Sequence, residues 1–251
     1  MTVLADQRTQ YEVRLKALLD ALGTTSGGTG GGTINDGRLS IINYVKAKLD
    51  ELVPESEGLV FSLSSAPNVS DPLNLLINAH IDEATKNVIM SAPLTSIVPT
   101  KSSETVGTPF VTGAKQGYVQ LDDTFLRLAQ FKMADWDRTI EKAITPSDAL
   151  YKLQTNEYLR GGIVKPVLVL NWRTVSSNPK RVLEYYSIID NHNIDKFYYL
   201  HDMVAEDFIT ANRKLLPSLA WMCAGIIMEI LGQMDNFKMA MDQVKLSYAN
   251  L

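Results

Sequence analysis

One cysteine, Cys223, stands among 251 residues, inside an apolar, helix-like run. A single thiol excludes an intramolecular disulfide and a cysteine-built zinc site, and its surroundings read as those of a small buried hydrophobe. The usage fits a reducing compartment, or a particle assembled in one. Histidine is nearly as scarce: only His80, His192 and His201 occur. No second histidine lies one helical turn from His80, as a zinc-protease helix requires, so it reads as a surface or capping residue. His192 sits in the polar stretch DNHNID, which lacks the alternating oxygen ligands and central glycine of a calcium loop. His201-Asp202 reads as a cap for the C-terminal helices.

Long apolar runs are missing too. The most apolar window, Leu219 to Gly232, is interrupted by Glu229 and falls short of the roughly 20 residues a membrane span needs. It reads as a buried core or interface helix. The stretch MTVLADQRTQYEVRLKALL carries early charges and no continuous apolar core, unlike a signal peptide. There is no Lys/Arg-rich run. The net charge of -4 and a pI near 5.4 give no overall pull toward nucleic acid. The six glycines of TTSGGTGGGTINDG are not followed by Gly-Lys-Ser/Thr, so they read as a linker rather than a phosphate loop. No serine sits in a Gly-x-Ser-x-Gly elbow, and Arg160-Gly161-Gly162 lacks the spacing of a dinucleotide fingerprint.

What is present is an ordinary globular balance, 45% hydrophobic and 21% charged. Helical periodicity predicts a first helix over residues 3–22. A second runs from Asp36, as cap, to Leu52, with Leu39, Ile42, Val45, Ala47 and Leu49 apolar and Pro54 beyond it. A third starts at Pro72 and reaches Asn87, burying Leu75, Leu76, Ala79 and Ala84. Leu59–Leu63 is a short strand candidate. The period then changes. NVIMSAPLTSIVPT reads as extended chain broken by Pro93 and Pro99. Tyr118–Leu121 and Phe125–Trp136 read as strands joined by a turn at Asp122-Asp123. Ile163–Trp172 is a β-branched strand whose Pro166 implies an edge, with Arg181–Ser187 as its partner across SSNP. Helices return over Val204–Leu215, then to Leu231 after Pro217, then over Asn236–Tyr248. The fold class expected is α+β: a helical bundle of N- and C-terminal helices with an inserted β-rich module. Residues 1–87 hold the N-terminal helices with the Gly-rich linker 23–37, residues 88–200 the β-rich module, and residues 201–251 the C-terminal helices packing on the N-terminal ones.

The candidates for chemistry are thin. Asp122/Asp123 and Asp135/Asp137 are carboxylate pairs, but acid–base work needs one of them in an apolar cleft, which sequence does not show. Arg127, Lys132, Arg138, Lys152 and Arg160 interleave with Phe131, Trp136 and Tyr158, a pattern that serves packing as well as phosphate contact. Met222, Met228, Met234, Met239 and Met241 read as helix core. No catalytic, cofactor or metal-ligand set is expected. The aromatic and basic residues of the β-rich stretch, Phe131, Trp136, Arg138, Tyr151, Tyr158, Arg160, Trp172, Tyr185 and Tyr186, are candidates for a subunit interface, where Tyr, Trp and Arg carry most binding energy.

Four segments, IDEATKNVIMSAPLTSIVP, GYVQLDDTFLRLAQFKMADWDRTIEKAI, YKLQTNEYLRGGIVKPVLVL and RVLEYYS, resemble the ring (head–tail connector) virion proteins of crAss-like tailed bacteriophages. They lie between Ile81 and Ser187, under half of the chain. The resemblance implies a structural subunit without enzymatic activity, forming a closed ring, a dodecamer matching the portal. It implies portal and adjacent ring or tail proteins as partners, a place in the virion neck or tail after assembly in the host cytoplasm, no cofactor, and genome DNA passing through the channel without specific binding. A ring demands different contacts on two sides of each protomer, and an acidic subunit lets DNA slide. The readings that compete with it are a soluble hydrolase and a regulatory binding module.

Overall fold

The computed structural model describes residues 36–52, 72–101, 109–113, 115–175, 177–189 and 192–251. The expected helix over residues 3–22, most of the Gly-rich stretch and the strand candidate Leu59–Leu63 lie outside the described residues. The class is α+β, and the chain divides into two compact units. One takes the chain up to Val98 and returns for Met203–Leu251; the other is Pro99–Asp202.

The helical unit contains α1 (Asp36–Leu52), α2 (Pro72–Ser91), α4 (Ala205–Ala211), α5 (Leu216–Ile230) and α6 (Met234–Ala249). On α1, Ile41, Ile42, Val45, Leu49 and Leu52 are buried, spaced three and four apart so that they share one face. On α2 the buried face is Leu73, Leu76, Ile77, Ile81, Ala84 and Val88. Leu75 and Ala79, expected inside, lie on the opposite, exposed face. The helix also runs on through Asn87 to Ser91, where extended chain was expected. Nothing before Pro93 breaks it, and the apolar Val88 and Ile89 continue its buried face. The β module therefore begins at Pro99 rather than 88.

Every residue of α5 from Ser218 to Met228 is buried, so it is the central helix, packed against α1, α2 and α6. Pro217 falls in its first turn, where the missing N–H costs nothing. The preceding break is at Asn212, whose φ of -131° and ψ of 51° leave the helical region and end α4 before a single 3-10 turn over Arg213–Leu215.

Arg38 ties three of these helices together. It is 3% exposed, donates to Asn78, and pairs with Asp82 on α2 at 2.8 Å and Glu206 on α4 at 3.0 Å. Asp82 also accepts the Ala205 N–H at 3.1 Å, satisfying a free donor at the start of α4. Burial opposes the charge on Arg38, but Asp82 and Glu206 outweigh it and hold the guanidinium above its ordinary range.

The second unit holds two antiparallel sheets around one core. β1 (Thr100–Lys101), β7 (Ile194–His201) and β4 (Phe125–Met133) form a sheet in the order β1-β7-β4. β2 (Phe110–Gly113), β3 (Gln116–Gln120), β6 (Asn178–Tyr186) and β5 (Leu168–Val175) form the other, in the order β2-β3-β6-β5. Val119, Leu168, Leu183 and Tyr185 from one sheet and Phe125, Leu128, Phe131, Phe197 and Tyr199 from the other fill the shared core. The imperfect alternation of β4 has a cause: its pairing with β7 slips between Phe125 and Arg127 and between Leu128 and Gln130, and each slip resets which residues point inward.

Several expectations move. β3 and β4 are consecutive but belong to different sheets. β5 starts at Leu168, not Ile163, because Lys165 N–H closes a turn on Gly161 O at 3.1 Å and Pro166 has no N–H to give a ladder. β7 was not anticipated. His201 ends it opposite Phe125, and Asp202 N–H bonds Thr124 O, so the pair, expected to cap the C-terminal helices, belongs to the β module. A short helix, α3 (Ala149–Gln154), follows the turn at Thr145-Pro146-Ser147, capped by Asp148 accepting from Leu150 N–H at 2.9 Å.

Arg38→Ala leaves Asp82 and Glu206 without their cation inside the helical unit. Because Asp82 is 36% exposed, the loss falls at the low end for a broken buried pair, about 3 kcal/mol. Chemical denaturation followed by circular dichroism reads it, and a change below about 1 kcal/mol would show that solvent replaces the pairing.

Candidate functional site

The expected interface residues divide sharply. Phe131, Trp136, Tyr185 and Tyr186 are 0, 2, 0 and 8% exposed, buried within the β module itself. Phe131, Trp136 and Tyr185 belong to the core between the sheets, and alternation along β6 sends the adjacent Tyr186 to the other face. Phe131 meets Trp136 and Phe197 edge-on, at 5.6 and 5.4 Å between centroids. Trp136 Nε1 donates to Ser187 O at 3.1 Å. Tyr185 crosses Gly117, where any Cβ would strike its hydroxyl, and that hydroxyl shares a 2.7 Å hydrogen bond with His192 Nδ1. Burial pushes the Tyr185 phenol up to about 12. His192 is thus part of this packing.

Tyr186 belongs to a polar cluster on the other face of the four-stranded sheet. Glu184, 2% exposed, accepts from Tyr186 Oη at 2.7 Å, Arg173 Nε at 2.5 Å and Asn171 Nδ2 at 3.2 Å. Burial first, and then the Glu184 carboxylate, raise the Tyr186 phenol above its ordinary range. Arg173 also lies over the Tyr118 ring at 5.1 Å, and Tyr118 stacks on Phe110 at 5.0 Å.

The other candidates remain at the surface. Tyr158 is 95% and Trp172 65% exposed. Arg138 is exposed, Tyr151 half-buried, and Arg160 largely covered beside Glu157 at 3.5 Å. Tyr158 stands on a pinned turn: Asn156 accepts its N–H through the side chain at 2.9 Å and the N–H groups of Leu159 and Arg160 through its carbonyl. Leu159 and Val164 are exposed on the same loop, and Phe110 and Val111 on β2. Leu159, Val164 and Val111 were passed over because aromatics and cations carried the weight, and Phe110 because it lies outside the stretch in which they cluster.

Among the described residues, the aspartate pairs singled out in the sequence do not converge. Asp122 accepts from Thr124 N–H in a tight turn, which holds its carboxyl below its ordinary range. Asp123 pairs with Lys180, and Asp135 accepts from Ile189 N–H. The two aspartate pairs flank opposite ends of the nine-residue β4, about 30 Å at ~3.4 Å per residue, so they share no cleft. A cleft of about 250 Å³ lies among Lys115, Glu157, Arg160, Ile163 and Ile188. Glu157, its carboxylate among the described residues, is held below its ordinary range by Lys115 and Arg160, which removes it as a proton donor near neutrality. Among the described residues no three or more His, Cys, Asp or Glu could hold a metal ion, and no helix is long and apolar enough to cross a membrane. No protein-family model matches the chain, and no curated protein matches it.

The raised Tyr185 phenol makes a pH prediction. The folded chain favours the neutral form, so this stabilisation is complete below pH 10 and is lost as pH rises through about 12. Tyr185→Phe should cost about 1 kcal/mol at neutral pH through the lost hydrogen bond, yet show a smaller fall in melting temperature across that alkaline window. Equal falls in the two proteins would remove Tyr185 as the titrating group.

Proposed function

We propose that the chain is a structural ring subunit of a tailed phage, in the head–tail connector or tail, stacked beneath the portal around the genome channel. Two things support this reading. The segments that resemble connector ring proteins of crAss-like phages fall on α2 and on β3, β4, the loop after α3, β5 and β6. The observation that carries it is the placement of apolar surface on the β module. Phe110 and Val111 lie exposed on one edge strand, Trp172 on the opposite edge strand, and Tyr158, Leu159 and Val164 on the pinned loop.

A ring protomer meets its two neighbours through different surfaces and the next layer through another, and three separate apolar patches match that need. The pinned turn presents Tyr158 with its backbone already ordered, which lowers the entropic cost of docking. The net charge of -4 keeps the subunit from gripping DNA by phosphate contacts. In this reading the partners are copies of the chain in a dodecamer, the portal and adjacent ring or tail proteins; the genome passes through without specific binding, and the subunit carries out no reaction.

Quantitative mass spectrometry of purified particles, combined with averaged images of the neck, tests the proposal. The expected result is as many copies of the chain as of portal, seen as a ring in the neck or tail. Absence from purified virions, or one copy per particle, would overturn it.

A further inference from the structure

The four-stranded sheet has an even number of strands, each antiparallel to the next, so its edges β2 and β5 run in opposite directions. Rotation about a ring axis does not flip a protomer. Adjacent copies therefore bring β2 of one beside β5 of the next in antiparallel orientation, the more stable pairing.

The backbone groups on these edges also match. On the outer side of β5, Ile144 N–H bonds Leu168 O, and Leu170 N–H bonds Ile144 O. Even-numbered residues of β5 thus turn their N–H and C=O away from β6. Trp172 N–H is occupied by Asn171 Oδ1 at 2.8 Å, leaving both groups of Thr174 open among the described residues. The same alternation carried through β6 and β3 points Phe110 toward β3 and Val111 outward. Val111 and Thr174 each present one outward N–H and one outward C=O, the requirement for a doubly bonded antiparallel pair. Tyr118 stacks on Phe110 on the face that carries Glu184, which places Val111 on the other face. Thr174 and Trp172 share that face, since Arg173 between them reaches Glu184.

β2 reads Phe-Val-Thr-Gly, with no charge and no proline to blunt the edge, and its first two residues are 45 and 57% exposed. Such an edge invites pairing. Building on the ring reading, we propose that β2 of one copy adds to β5 of the next, with Val111 opposite Thr174, joining the sheets into one continuous belt.

The test is the full-length chain carrying Val111→Cys and Thr174→Cys, oxidised after assembly. Such a pair places Cα atoms about 5.5 Å apart, within disulfide range. Cys223 is buried and its thiol is pushed up by desolvation, so it stays out of the reaction. The expected result is a reducible ladder of covalent multimers ending at the ring number, absent from either single variant. Rings by microscopy without a ladder would overturn the edge pairing while leaving the ring reading intact. No ring and no ladder would overturn the pairing, and particle stoichiometry would then decide the ring reading separately. Val111→Lys provides a check without disulfide chemistry: its melting temperature should match the parent while assembly is lost, and intact rings in that variant would also overturn the pairing.

Discussion

The β module is organised around a carboxylate that water does not reach. Glu184 sits mid-strand on β6, where every residue from Val182 to Tyr186 is buried. An unpaired charge there would cost several kcal/mol, so its three donors, from Arg173, Asn171 and Tyr186, are a condition of folding. Two of them come from β5. Slipping β5 against β6 by one residue would swing Arg173 and Asn171 to the opposite face and strand the carboxylate. The polar cluster therefore fixes the register of the hairpin, and the register sends Trp172 and Thr174 to the other side. The exposed edge is a by-product of satisfying a buried charge.

Part of this was legible in the sequence. α1 spans Asp36–Leu52 as read, since a capping residue, a clean apolar period and a following proline all agree. The β5–β6 hairpin was legible from β-branched runs around SSNP, where Ser177 takes a left-handed φ of 68°. The mixed class, with helices at the ends and strands between, followed from the change of period. What was not legible was mostly long-range. The partner of β4 is β7, with pairs running from Met133–Ile194 to Phe125–His201, and local pattern carries no trace of such a pairing. The end of α2 was missed because Val88, Ile89 and Met90 look β-prone while tertiary packing holds them in a helix.

The interface candidates show a subtler limit. Aromatic rings serve a sheet core and a binding surface equally well. Phe131, Trp136 and Tyr185 lie in the core, Tyr186 is buried on the other face of its sheet, and Tyr158 and Trp172 are exposed, a division that composition does not make. Separation comes from pleat parity and from how far a strand runs past the core. Leu170 and Trp172 share a face of β5, yet Leu170 packs against the core and Trp172 lies beyond it.

The helical unit is assembled from chain on both sides of the β module. Its central helix, α5, is made only after all of Pro99–Asp202. On the ribosome, α1 and α2 emerge with their apolar faces uncovered and wait for the helix that completes them, while the β module has its whole sequence in one piece and can fold first. Synthesis thus imposes an order: strands before bundle, with a window in which Ile42, Leu49 and Ile77 have no core to enter. A pause in translation within the β module lengthens that window, and the yield of folded chain depends on how quickly the last fifty residues follow.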